Sequence, residues 1–160
     1  MPRRVLATMI TTTSYGTWLP GDLRGYVEDG VILPGSPHLL DHSESLLVGD
    51  PVFFTPREQD QLFEALVAGC HEFTYHLLAA SIESWHAHWL VDHGFDPVEV
   101  MVGRLKTRMR QPLHRGRIWT SGYDHRLCLT KSQVQVRLDY VHRHAGHRPL
   151  SAQPPAGGRG

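Results

Sequence analysis

With 160 residues, 41% apolar and 20% charged, the chain has the composition of one globular domain large enough to bury a core. No apolar run approaches the roughly 20 residues of a membrane-spanning helix, and two cysteines, Cys70 and Cys128, are too few for a disulfide framework, which fits a reduced cytoplasmic setting. The formal net charge of zero does not exclude a nucleic-acid partner: residues 1–100 carry 4 Lys/Arg and 14 Asp/Glu, residues 101–160 carry 12 and 2, and −10 is set against +10. A separation of that size either builds a basic face on a neutral molecule or is cancelled by pairing between the halves.

The N-terminus is basic and then apolar, but Thr11, Thr12, Thr13 and Ser14 end the apolar stretch too soon for a signal peptide. Residues 5–13 read instead as a β-strand. Residues 14–54 are rich in Gly, Pro and Asp without a sustained period and read as a long irregular insertion, with a turn at Leu19-Pro20-Gly21. Thr55-Pro56-Arg57-Glu58 is a helix start, with Thr as N-cap, Pro in first position and Glu three residues after the cap. That helix runs to about Phe73 on an apolar stripe of Leu62, Phe63, Leu66, Val67 and Cys70.

Residues 75–83 and 85–92 read as two strands close enough to pair as a hairpin. Asp96-Pro97 opens a second helix through Val98, Met101, Val102, Leu105 and Met109, ending at Pro112. Residues 117–129 hold a fourth strand with a turn near Ser121-Gly122. Thr130 or Ser132 caps a last helix over 131–146. From Ser151 the chain is Pro/Gly-rich and reads as a disordered tail. The order β-α-β-β-α-β plus a helix predicts an α+β, ferredoxin-like fold over residues 1–150, an antiparallel sheet with helices on one face.

The chemistry concentrates in His86-Ala87-His88. In a strand, residues i and i+2 share a face, so both imidazoles reach one point in space. Tyr140 and His144, four apart on the last helix, are likewise presented together. Two strand histidines with a tyrosine and a third helix-borne imidazole suggest metal-assisted attack of a tyrosine on a phosphodiester. Arg104, Lys106, Arg108 and Arg110, on or near the second helix, with Arg117 and Arg126, are candidate phosphate contacts. Trp119 or Tyr123 could stack on an unpaired base.

The histidine pair, followed after a helix by Trp119-Thr120-Ser121-Gly122-Tyr123-Asp124-His125-Arg126 and then Asp139-Tyr140-Val141, resembles the single-tyrosine HUH transposases, including insertion-sequence and REP-associated members. Tyr15-Gly16-Thr17-Trp18-Leu19-Pro20-Gly21-Asp22 resembles a stretch in some uncharacterised members. The likeness covers roughly residues 3–148 and is weakest over 14–54. It implies a catalytic Tyr140 that forms a 5′-phosphotyrosine on single-stranded DNA, and a divalent cation, Mg²⁺ or Mn²⁺, on His86 and His88. It also implies hairpin-containing DNA as partner and a homodimer. In the family the third ligand, four residues after the tyrosine, is often Gln or Asn. His144 stands there in this chain, and three imidazoles favour Mn²⁺, Co²⁺ or Zn²⁺ over Mg²⁺.

Each assignment has a plainer counterpart. The histidines could be surface groups, Tyr140 a core residue beside Val136, Leu138 and Val141, and the Arg104 to Arg110 run a solvated helix face. His142 or His147 could replace His144 as ligand, and Trp119 is more often a packing residue. Functionally, a relative that binds DNA hairpins without cutting them is one alternative. A His₃ metal-dependent hydrolase, in which water replaces the tyrosine, is another.

Overall fold

The computed structural model describes residues 4–28 and 31–150, and the segment read as a disordered tail lies outside the described residues. The elements are β1 (Ala7–Thr13), β2 (Tyr26–Glu28), β3 (Val31–Leu33), α1 (Pro37–Ser45), α2 (Pro56–Glu72), β4 (His76–Ile82), β5 (His86–Asp92), α3 (Val98–Arg110), a 3₁₀ turn (Gln111–Leu113), β6 (Asp124–Cys128), α4 (Lys131–His142) and β7 (His147–Arg148). Five strands form one antiparallel sheet in the order β6-β1-β5-β4-β7. The β-α-β-β-α-β core is β1-α2-β4-β5-α3-β6, with a β2–β3 hairpin and α1 inserted after β1; the segment expected to be irregular therefore carries a hairpin and a helix, the helix started by Ser36 as N-cap and Pro37. The fold is α+β, as the element order predicts.

Strand register decides which side chains meet. Thr13, Thr11 and Met9 of β1 lie opposite His86, His88 and Leu90 of β5; Thr12, Ile10 and Thr8 lie opposite Ala87, Trp89 and Val91. The second set faces α2 and α3: Ile10, Ala87, Trp89 and Val91 share one core with Leu62, Leu66 and Cys70 of α2 and Met101, Leu105 and Met109 of α3. The first set faces α4. There Ala7, Met9, Leu90, Cys128 and Val141 form a smaller core, with Val134 and Leu138 packed against it. The sheet is thus sandwiched, two helices on one face and α4 on the other. Burial of the Cys70 thiol in the larger core pushes its pKa up to about 12, which marks it as a packing residue.

Local signals hold where chemistry sets them. Thr55 and Glu58 form the expected capping box on α2. Asp96-Pro97 opens α3 as expected; the helix begins at Val98 without a side-chain cap, because the Asp96 carboxylate accepts a hydrogen bond from the Tyr75 hydroxyl at 2.6 Å and pairs with Arg104 at 2.8 Å. Local signals fail where tertiary partners decide. Strand pairing over 117–129 is confined to β6 and one bridge between Ser14 and Trp119. The last helix stops at His142 rather than at 146, because the chain turns to pair β7 with the edge of β4. Among the described residues, no helix is long and apolar enough to cross a membrane.

The charge asymmetry is cancelled in part across the fold. Arg104–Asp96, Arg108–Glu72, Arg115–Glu58 and Arg148–Asp60 each join the basic half to the acidic half.

Gly146 ties the end of the α4 segment to the sheet. The Ile82 N–H donates to its carbonyl at 2.9 Å, and a Cβ built on it would stand 2.3 Å from the Ile82 carbonyl oxygen. Gly146→Ala is therefore expected to overpack this junction and destabilise the fold by about 1–3 kcal/mol. The check is a lower urea midpoint at an unchanged m-value.

Candidate active site

The site is built on the first residues of β5. Glu83 and His86 close the β4–β5 hairpin across Ser84-Trp85, with the Glu83 N–H donating to the His86 carbonyl at 2.9 Å. The same closure sets the Glu83 carboxylate against the His86 ring, Oε2 to Nε2 at 3.2 Å. His88, two residues on, lies in a cross-strand pair with Thr11, whose hydroxyl is 2.8 Å from His88 Nδ1. Both imidazoles are buried, His86 to 7% exposure and His88 to 3%.

The smaller core lays α4 across this face. Tyr140, 40% exposed, stands near the helix end, and its backbone carbonyl accepts a hydrogen bond from His144 Nδ1 at 2.8 Å. The His144 ring lies 4.3 Å from His88 and 6.1 Å from His86, centroid to centroid; the Tyr140 ring lies 5.6 Å from His88 and 4.8 Å from His144. One ring nitrogen from each of His86, His88 and His144 falls within 4.8 Å of the others.

Hydrogen bonding decides what those nitrogens offer. A carbonyl only accepts, so His144 carries its proton on Nδ1 and leaves Nε2 with a lone pair. By the same logic the Glu83 carboxylate places the His86 proton on Nε2. His86 Nδ1 is then a buried lone pair with no partner among the described residues. A neutral, outwardly braced imidazole with an orphaned inner nitrogen is what a metal-ligating histidine looks like. The donor set therefore fits a divalent cation, with Glu83 and Thr11 orienting the rings from behind.

Burial also disfavours the charged forms of His86 and His88. It pushes the His88 pKa down to about 3, with the His144 and His86 charges adding to the effect. For His86 burial again acts first and downward. Glu83 opposes it, while His144 and Arg24 reinforce it. A His88 pKa below its ordinary value of about 6.5 means that the unfolded chain binds more protons across that interval. Stability of the metal-free protein is therefore expected to fall as pH drops from about 6.5 toward 3. Thermal melts in chelator should show this slope, and it should flatten in His88→Asn; an unaltered slope would show that another group titrates.

The other sequence-predicted residues divide by face. α3 stands on the far side of the sheet from the histidines. There Arg104 is tied to Asp96 and Tyr75, and Arg108 donates to both carboxylate oxygens of Glu72. Lys106, its pKa lowered to about 8 by burial, donates to the Thr120 and Gly122 carbonyls at 2.9 Å each. Arg110 reaches the Gly116 carbonyl at 3.4 Å, and Arg117 lies over the Tyr15 ring. Trp119 is in the core at 7% exposure, edge-on to Phe54 and donating to the Lys106 carbonyl. It is a packing residue rather than a platform for a base. Tyr123 sits near Lys106 and His125. Arg126, opposite Met9, is on the histidine face of β6, beside Asp124 at 3.2 Å. His142 and His147 pack edge-to-face on each other and are outside the cluster.

Glu83, Thr11 and Trp85 escaped the sequence reading. Glu83 lies three residues before His86 at a hairpin, a spacing that could have flagged it. Thr11 depends on register between distant strands and left no local mark.

No family model matches the chain, and no curated protein matches it. Solved structures do. The REP-associated tyrosine transposase bound to a REP hairpin superposes with a TM-score of 0.50 at 11% identity, over 89% of this chain and 68% of that one. A candidate transposase from Deinococcus radiodurans R1 superposes with a TM-score of 0.45 at 13% identity, over 89% of this chain and 93% of that one. At such identities the first of these likenesses speaks for architecture, and the chain has the α+β fold of a tyrosine transposase.

Proposed function

We propose that this protein is a metal-dependent tyrosine transposase that cuts and rejoins single-stranded DNA. The observation that carries the reading is the meeting of His86, His88 and His144 with Tyr140, strand and helix converging on one small volume. The REP hairpin bound to the similar transposase supports hairpin-containing DNA as the substrate. Residues 1–150 would form one catalytic domain acting in the cytoplasm. A homodimer fits the exposed Leu127 and Val136 on the β6 and α4 side.

His86, His88 and His144 would hold the cation. When bound, it would polarise the scissile phosphate and offset charge on the departing oxygen. The Tyr140 hydroxyl oxygen attacks phosphorus, the bond from phosphorus to the 3′-oxygen breaks, and the phenolic proton is balanced by the one the 3′-oxygen takes up. The products are a 5′-phosphotyrosine and a 3′-hydroxyl. A second 3′-hydroxyl reverses the step and rejoins the strand. Phosphodiester energy is kept in the adduct, so no nucleotide is consumed. Glu83 and Thr11 keep the imidazoles oriented throughout.

Tyr140→Phe is expected to lower cleavage by roughly a thousandfold or more and to remove any denaturant-resistant protein–DNA adduct. The assay uses labelled hairpin-containing single strands with Mn²⁺. Cleavage that survives the substitution would favour the His₃ hydrolase, and binding without cleavage in the unaltered protein would favour the non-cutting hairpin binder. His86→Ala is expected to weaken Mn²⁺ binding by about tenfold or more in calorimetry; unchanged affinity would remove His86 from the ligand set. Three imidazoles further predict that Mn²⁺, Co²⁺ or Zn²⁺ supports cleavage better than Mg²⁺ at equal concentration.

A further inference from the structure

The insertion after β1 does not hang free of the site. Ser14 N–H donates to the Trp85 carbonyl at 2.8 Å, which locks the start of the insertion to the residue before His86. Ten residues on, Arg24 folds back over the same place. Its guanidinium carbon lies 4.0 Å from the Trp18 ring centre and 5.0 Å from that of Trp85, and the two indoles are 5.1 Å apart. The Trp85 ring is in turn 4.1 Å from that of His86. Arg24 therefore stands at the rim of the histidine cluster, one indole away from it.

The head group is held in a fixed plane. Nε donates to Asp22 Oδ1 at 2.9 Å, and Nη2 donates to Asp22 Oδ2 at 2.7 Å and to the Thr17 carbonyl at 2.9 Å. Asp22 is buried, and Trp18 is itself pinned by its Nε1 donating to the Gly25 carbonyl at 2.8 Å. Those bonds use three of five N–H donors. Nη1 makes no hydrogen bond among the described residues, and the side chain remains 49% exposed. A planar cation braced on two sides with one edge open is a preorganised oxyanion donor.

Its position is unusual for this chain. Arg24 is the one Lys or Arg between Arg4 and Arg57, in the half where acidic residues dominate. The cations of α3 that could have served are on the other face and engaged elsewhere.

We propose that Arg24 is a phosphate-binding residue of this site. Its Nη1 edge takes a non-bridging phosphate oxygen of the single DNA strand beside His86, while Asp22 and the Trp18–Trp85 pair hold its plane. The proposal rests on the strand-cutting reading above and names one protein group that grips the backbone there.

The test reads binding of a labelled, randomised hairpin-containing single strand by anisotropy across a salt series, in Mn²⁺, on the Tyr140→Phe background. Arg24→Ala is expected to weaken binding about tenfold and to reduce the slope of log K against log salt by about 0.7, one phosphate's share for a single strand. Arg24→Lys, which keeps the charge, should keep the slope. Should Arg24→Ala not fold, Arg24→Gln carries the same reading, since it can still hydrogen-bond Asp22 without the charge. Unchanged affinity and slope in the alanine or glutamine variant would overturn the proposal. So would a lysine variant that loses the slope as alanine does, the mark of a loop brace. If the Arg24 variants bind normally while the Tyr140-containing protein forms an adduct, only the role of Arg24 fails. If the protein neither binds DNA nor forms an adduct, the strand-cutting reading fails and this one with it.

Discussion

Everything in the site depends on β5 being buried on both faces. A strand has only two sides, and successive residues must alternate between them. Ala87, Trp89 and Val91 take the side under α2 and α3, which leaves His86, His88 and Leu90 for the side under α4. Leu90 helps seat α4; the histidines are what that helix then closes over. A one-residue slip of β5 against β1 would send the imidazoles into the apolar core and Trp89 into the site. The large core, Trp89 above all, therefore enforces the register that the chemistry needs, although none of its residues touches the reacting groups.

Burial then sets the character of the ligands. His93 offers a useful contrast on the same sheet. It too is buried, but both its nitrogens are engaged, Nε2 with the Thr8 hydroxyl and Nδ1 with the Asp96 carbonyl, each at 2.7 Å. Nothing is left over for a ligand, and its role is to tie the end of β5 to the start of α3. His86 has one nitrogen on Glu83 and one with no partner. An orphaned buried acceptor is costly in a folded protein and is expected where an ion or substrate completes the set. The depressed pKa of His88 belongs to the same economy of contacts, because desolvation keeps the ring neutral and its lone pair available.

Much of this was legible in the sequence because it rests on fixed periods. The His-Ala-His spacing, the i,i+4 pair of Tyr140 and His144 and the Thr55–Glu58 capping box are properties of strands and helices as such, and they hold wherever those elements form. What was not legible depends on which distant element arrives alongside. Arg104 and Arg108 look like nucleic-acid contacts in a string of alternating cations, yet Asp96 and Glu72 meet them on the side away from the histidines. Trp119 follows a basic stretch and is nonetheless core, because the bridge to Ser14 draws its backbone in and Phe54 covers its ring. The 14–54 segment has no period to read. Its contribution comes through single bonds, such as Ser14 to Trp85 and Arg24 to Asp22, that no pattern announces.

The cancellation of charge sharpens where an anionic strand can bind. Exposed ion pairs add little stability, so the four pairs that join the acidic and basic halves matter more for the field they remove than for the energy they supply. They reduce the positive field on the α2–α3 side, where Lys106 and Arg110 reach only backbone carbonyls. On the other side, α4 carries Lys131, Arg137 and Arg143, and none of them has a carboxylate within ion-pair distance among the described residues. A molecule with no net charge thus keeps three uncompensated cations on the helix that presents Tyr140. Attraction of a polyanion scales with the local field rather than with the total charge. The basic half of the chain acts less as a continuous basic face than as a source of cations, four of which the fold pairs with the acidic half away from the histidines.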